Sequence, residues 1–220
     1  MDIKITISSH INYYKTTLPT LLDSLLKAGI EEPQIYIAIG GCPNAYYTEQ
    51  LAFEDKKYTN IRCDFINHNS FDYNGLIAVV EKVYTSDYWL LLHDTCKVGA
   101  KFRKLVHNKL RDNQPLTVCL QKSLPSANIG LYAQEYLTFI ADVLTLYKNK
   151  DKRFYVATED SLFIDRHIHY FQNCDAQATI KGYADVYGTG TPREVLYYDA
   201  MDVFKYKANY MVKTEYTLTA

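Results

Sequence analysis

Two rhythms of apolar and polar positions alternate along this chain. "IKITIS", opening at Ile3, is a β-branched run suited to a buried strand. "TTLPTLLDSLLKAG" follows with Leu18, Leu21, Leu22, Leu25 and Leu26 at helical spacing, which predicts an amphipathic helix with Pro19 in its first turn and Gly29 as its stop. "QIYIAIGG" and "NIRCDFIN" read as two more strands. The stretch from Asp72 to Tyr84 returns to helical spacing through Leu76, Ile77, Val79, Val80 and Val83, with Asp72 placed to cap it. "DYWLLL" is a fourth strand, running into His93, Asp94 and Thr95.

Beyond this the rhythm is less regular. "GAKFRKLVHNKLRD" predicts a helix with a basic, solvated outer face, and "PLTVCLQ" a short strand. "SANIGLYAQEYLTFIADVLTLYKNKDKR" predicts one long helix burying Tyr132, Tyr136, Phe139, Ile140, Val143 and Tyr147. "ATIKGYADVYG" is strand-like, and "TPREVLYYDAMDVFKYKANY" closes the chain's pattern as an amphipathic segment. No internal repeat or Gly/Ser linker divides the sequence, so a single domain over 1–220 is expected.

A β-α-β-β-α-β succession predicts an α/β fold: a mostly parallel, Rossmann-like central sheet covered by helices, an αβα sandwich. Ligands bind such sheets beyond the carboxyl ends of the strands. The four endings are Ser8-Ser9-His10, Gly40-Gly41, Asn67-His68-Asn69 and His93-Asp94-Thr95, every one small or polar. Four polar ends on one edge predict a site there.

Composition narrows the classes without naming one. The net charge of −1 gives no basic balance for nucleic acid or an anionic membrane. The 21 tyrosines suit a sugar or nucleotide site but equally reflect composition drift. Five cysteines with no C-x-x-C pair suggest neither a zinc site nor a disulfide framework, and a reducing, cytoplasmic setting is expected. No run approaches the roughly 18 apolar residues of a membrane span. Gly40-Gly41 is not a dinucleotide fingerprint, "YGTGTP" lacks the Lys-Ser/Thr of a P-loop, and no G-x-S-x-G elbow occurs. His167 and His169 share a face only on a strand, with no acidic partner fixed nearby, and read as surface or packing residues.

From "ITISSH" to about Arg166 the order and spacing resemble the GT-A-type glycosyltransferases, of the inverting, family-2-like kind. "NHNSFDYNGLIAVVE" is similar to the segment that enters the helix before that family's signature strand, where a small residue such as Gly75 permits close approach to the nucleotide. "WLLLHDTC" falls where the family carries D-x-D, and "ATEDSLF" is similar to the x-E-D motif holding the catalytic base. The resemblance implies transfer of a sugar from a nucleotide-sugar, UDP-linked, to a glycan acceptor by an inverting displacement. It implies Asp160, or second to it Glu159, as base. It implies a nucleotide-sugar site of Ser8, His10, Asn67, Asn69, Tyr73, Asn74, Gly75, His93, Asp94 and Thr95. Residues 1–98 would be the nucleotide-binding half and 99–220 the acceptor-side half. "TEDSL" also reads as a helix start, Thr158 capping and the acids favouring the dipole.

His93 and Thr95 stand where the family has its two Asp, with Asp94 between them. Asp94, with His93, can ligate Mn²⁺ or Mg²⁺. Alternatively the metal is dispensable and Arg193, Lys205 and Lys207 neutralise the leaving group. Two rivals stay open: a sugar nucleotidyltransferase, disfavoured because "SSHINYYKTT" has no glycine, and a catalytically inactive GT-A-like binding module.

Overall fold

The structure is a computed structural model that describes residues 1–43, 56–111, 114–120, 129–150, 168–170, 178–180 and 195–206. Its first half follows the apolar rhythm closely. Strand β1 (Ile3–His10) leads into helix α1 (Tyr14–Lys27), then β2 (Ile35–Gly40), β3 (Arg62–Phe65), α2 (Asn74–Glu81) and β4 (Tyr88–His93). After β4 come β5 (Cys96–Val98), α3 (Phe102–Arg111), β6 (Thr117–Cys119), β7 (Gly130–Ala133), α4 (Gln134–Phe139) and α5 (Ala141–Leu146). Short strands β8 (Ile168–Tyr170), β9 (Ala178–Ile180), β10 (Val195–Tyr198) and β11 (Val203–Tyr206) complete the described elements.

The central sheet has seven strands in the order β3-β2-β1-β4-β7-β6-β8. β3, β2, β1 and β4 run parallel. β7 is antiparallel to both neighbours, while β6 and β8 pair in parallel. The expected mostly parallel αβα sandwich is therefore present. Alternation within the apolar runs splits the core in two. Ile3, Ile5 and Ile7 of β1, with Leu90 and Leu92 of β4, pack against Leu18, Leu21, Leu22 and Leu25 of α1 and Phe102, Val106 and Leu110 of α3. Trp89 and Leu91 face the other way, onto Leu76, Ile77 and Val79 of α2 and Leu137 and Leu144 of α4 and α5. No helix among the described residues is long and apolar enough to cross a membrane.

Local signals explain the ends of α1, with one shift. Gly29 takes φ +85 and its N–H bonds to the Leu26 carbonyl, while that of Ile30 bonds to Leu25, the paired geometry that closes a helix. The start lies earlier than expected: Pro19 sits inside the helix, because Tyr13 begins the turn and accepts from the amides of Thr16 and Thr17. Helix α2 has Tyr73 at its N-cap, so Asp72 does not cap it but sits in the 3-10 turn Phe71–Tyr73.

The long helix expected after residue 126 is not one element. Gly130 to Ala133 form β7, which pairs Trp89 with Tyr132 and buries that tyrosine in the sheet. The helical part is broken at Ile140 into α4 and α5, and it buries Leu137, Ile140, Leu144 and Tyr147 while Phe139 and Val143 face outward. Sheet pairing along an open edge outweighed the helical spacing there.

Within the C-terminal amphipathic segment, residues 195–206 form a β-hairpin. β10 and β11 join β5 and β9 in a second, antiparallel sheet of order β5-β11-β10-β9. Because β5 begins directly after Thr95, this pairing brings residues near 205 back to the end of β4.

Candidate active site at the carboxyl edge of the sheet

Register fixes the floor of the site. Ser8 lies beside His93 across β1 and β4, and His10 beside Gly40 across β1 and β2. The Asp94 amide donates to the Ser8 carbonyl at 3.1 Å, and the Gly41 amide to the His68 carbonyl at 2.9 Å. All four polar strand endings thus lie along one edge, as their sequence predicted.

Several of the residues expected to touch a nucleotide also hold this edge together. The Ser8 hydroxyl donates to the Asp72 carbonyl at 2.7 Å and accepts from the Gly75 amide at 2.9 Å, stitching α2 to β1. Asn74 accepts from the Ser70 amide at 2.8 Å and donates to the Ser9 carbonyl at 3.3 Å. The close approach that Gly75 permits is that of α2 to the sheet: a Cβ there would come within 2.6 Å of Thr6 Oγ1 and 3.1 Å of Ser8 Oγ. Tyr73 is buried, its ring 5.1 Å from that of Tyr147. His10 is buried as well, accepting at Nδ1 from the Asn12 amide. Burial lowers its pKa to about 4, so the ring is neutral at physiological pH. Asn67 is exposed, and Asn69 accepts from the Phe71 amide in a local turn.

The end of β4 sends its three polar side chains to different partners. Asp94 Oδ2 accepts from Ser9 Oγ at 2.8 Å and lies 2.9 Å from Thr17 Oγ1, whose single proton is shared with the Tyr13 carbonyl. Burial pushes the Asp94 carboxyl above the usual carboxylate range, against those hydroxyls and the positive charge of Lys205. His93 and Thr95 instead meet the Lys205 ammonium. Lys205 Nζ lies 2.8 Å from His93 Nδ1 and also donates to Thr95 Oγ1. An ammonium only donates, so Nδ1 accepts and the His93 proton sits on Nε2. Asp72 brings a carboxylate oxygen 3.7 Å from the same Nδ1.

The hairpin carries this lysine to its place. Lys205 is registered against Cys96, and the Tyr206 amide donates to the Thr95 carbonyl at 2.9 Å. The hairpin's turn is tied to the start of α3 by Asp202, which accepts from the Lys101 amide at 2.8 Å and from the Tyr197 hydroxyl at 3.0 Å.

This donor set does not fit a divalent ion in the way D-x-D would. The His93 nitrogen facing the gap already accepts from Lys205, and one Asp94 oxygen takes two hydroxyl contacts. Among the described residues no group of three or more His, Cys, Asp or Glu is placed to hold a metal. In this structure the two side chains expected on Mn²⁺ or Mg²⁺, Asp94 and His93, point to different partners.

Asp160, Glu159, Arg193, Lys207 and His167 lie outside the described residues, as does the side chain of His169. Sequence reasoning passed over Thr17 and Asp72 as site groups and named Ser9 only within a polar strand ending. Thr17 left a signal, because it shares the buried face of α1 with Tyr14, Leu21 and Ser24, where a hydroxyl has no apolar purpose. A groove of about 280 Å³ lies at the opposite, amino-terminal edge; there the Arg62 guanidinium stacks 3.9 Å over Tyr84 and Lys4 lies 6.0 Å from Trp89.

No protein-family model matches the sequence, and no curated protein matches it. Solved structures are similar to it, and those at a TM-score of 0.50 or above share its fold. TarS of S. aureus (residues 1–349) superposes with a TM-score of 0.51 at 10% identity, covering 77% of this chain and 58% of that one. The same protein in complex with UDP gives 0.50 at 11% identity, with 77% and 57% covered. The galactosyltransferase LgtC, in complex with donor and acceptor sugar analogues, gives 0.46 at 12% identity, with 77% and 73% covered. The chain spans less than two thirds of the TarS structures' length. Its fold is that of the GT-A-type glycosyltransferases.

Proposed function

We propose that this chain is a nucleotide-sugar-dependent glycosyltransferase that takes a UDP-linked sugar and passes it to a glycan acceptor by an inverting displacement, working in the cytoplasm. The observation that carries the reading is the carboxyl edge of a GT-A-like sheet where the ends of β1 and β4 and a lysine from the C-terminal hairpin converge. In the reaction, the bond from the sugar's anomeric carbon to the diphosphate oxygen breaks, and its electron pair leaves with the diphosphate. The acceptor oxygen bonds to the same carbon from the opposite face, and its proton passes to a base. The assignment of that base to Asp160, with Glu159 second, rests on the resemblance of "ATEDSLF" to x-E-D. Residues 1–98 supply the floor of the donor site, and 99–220 the acceptor side together with Lys205 of the hairpin.

The test is release of UDP from a panel of UDP-sugars with an oligosaccharide acceptor, wild type against Asp160→Asn. Loss of about 10³-fold or more in the variant is expected for a base that acts in the displacement. A second reading, a nucleotide-binding module without turnover, draws on the turned-in Asp94. It predicts UDP binding with no release from any sugar in the panel.

A further inference from the structure

We infer that Lys205 is the resident cation of this site, meeting the charge of a nucleoside diphosphate where a D-x-D motif would hold a metal ion; the inference rests on the glycosyltransferase reading above.

Three observations support it. First, the ammonium sits between the side chains of positions 93 and 95, the two that stand in for the aspartates. Replacing both carboxylates by an imidazole and a hydroxyl removes the ligands a divalent ion requires, and the same replacements supply two neutral acceptors for an ammonium. Second, these acceptors leave the charge of Lys205 uncancelled at contact distance. Among the described residues its hydrogen bonds go to His93 and Thr95, and no carboxylate lies within ion-pair distance of its nitrogen. Two of three donors are used, and the third is available to an anionic guest. Asp94, next after β4, is turned toward Ser9 and Thr17, and the Asp72 carboxylate lies 3.7 Å from His93 Nδ1 without pairing with the ammonium. Third, the lysine is held by a structured element. β11 is paired on both sides, to β5 and β10, and Asp202 ties its turn to α3. A side chain on such a frame reaches its position with less ordering cost than one on a loose tail. Lys205 is half-buried, so its ammonium is partly screened from water and still reachable.

A lysine ammonium is a compact point charge that serves phosphate oxygens well. Bound diphosphate would keep the His93 and Thr95 contacts in place, because both groups are neutral and need no rearrangement.

The experiment is calorimetric titration of UDP, GDP and the corresponding nucleosides, in EDTA and in Mn²⁺, on wild type, Lys205→Met and Lys205→Arg. Expected is diphosphate binding to wild type within about twofold with and without Mn²⁺. Expected too is a loss of about 10- to 100-fold in Lys205→Met, the worth of one charge-assisted hydrogen bond, with nucleoside binding unchanged and Lys205→Arg largely restored. Diphosphate binding to wild type that requires Mn²⁺ overturns the inference while leaving the glycosyltransferase reading intact. Equal loss of nucleoside and diphosphate affinity in Lys205→Met, without rescue by Arg, also overturns it by assigning the lysine a purely structural part. Absence of any nucleotide or nucleoside binding to wild type removes the underlying reading and the inference together. Should Lys205→Met fail to fold, as its thermal melt would show, the Arg variant and the metal comparison in wild type decide.

Discussion

Gly75 sets how closely a helix can approach the sheet. Its lack of a side chain lets α2 lie directly on β1, with Thr6 and Ser8 hydroxyls where a Cβ would stand. Gly75→Ala is therefore expected to destabilise the fold by about 1–3 kcal/mol through overpacking, read as a lower urea midpoint with an unchanged slope. Val83 is the opposite case. It takes φ +55 at the end of α2, with its Tyr84 neighbour closing onto Val79, and its side chain is 78% exposed. A β-branched residue in the left-handed region is strained, and an exposed one gains little packing in return. Val83→Gly should raise stability by about 1 kcal/mol, seen as a small increase in Tm. Asp72 was read from the sequence as the cap of α2, a position that Tyr73 holds. Its place beside His93 depends on the 3-10 turn before α2, which no spacing rule announces.

At the scale of elements, helices and strands with strong periodicity were legible, and those whose environment overrode periodicity were not. α1, α2, α3 and the parallel strands follow from apolar spacing and from the stop at Gly29. β7 was misread because Tyr132 and Tyr136 share a helical spacing, and only the open side of β4 makes a strand of the segment around Tyr132. The hairpin β10–β11 is the element on which the site depends most. Its alternating apolar residues were visible, but its partner β5 is three residues long and about a hundred residues away in sequence. Asp202 anchors it, so Asp202→Ala leaves the Lys101 amide and the Tyr197 hydroxyl without their acceptor. A cost of about 1–3 kcal/mol in urea unfolding is expected, with a fall in UDP affinity as Lys205 loses its frame.

For the whole molecule, buried histidines set the acid limit of stability. Burial lowers His10 and His68 from 6.5 to about 4, and Lys148 adds to the effect at His68. Between those values the unfolded chain binds protons that the folded chain refuses. Stability is therefore full above pH 6.5 and falls as pH drops toward 4, by on the order of 1–3 kcal/mol for each group. Asp94, raised by burial, works in the other direction by favouring the protonated folded form at low pH. Urea midpoints at pH 7.5 and pH 5 should show the net loss at the lower pH. In Asp94→Asn, which lacks the opposing carboxyl, a flat profile would mean that these rings reach water.

The sequence by itself determined the layers of this protein, because alternation and helical spacing act over a few residues and decide which faces must leave water. It also determined which strand ends are polar, and with parallel strands that is enough to place four of them on one edge. The tertiary structure alone decided what those polar groups do. Asp94 turns inward because α1 offers it a threonine, and His93 and Thr95 face a cation because β11 pairs with β5. Both choices depend on register between segments far apart in the chain, and register is set by packing and hydrogen bonding across the fold.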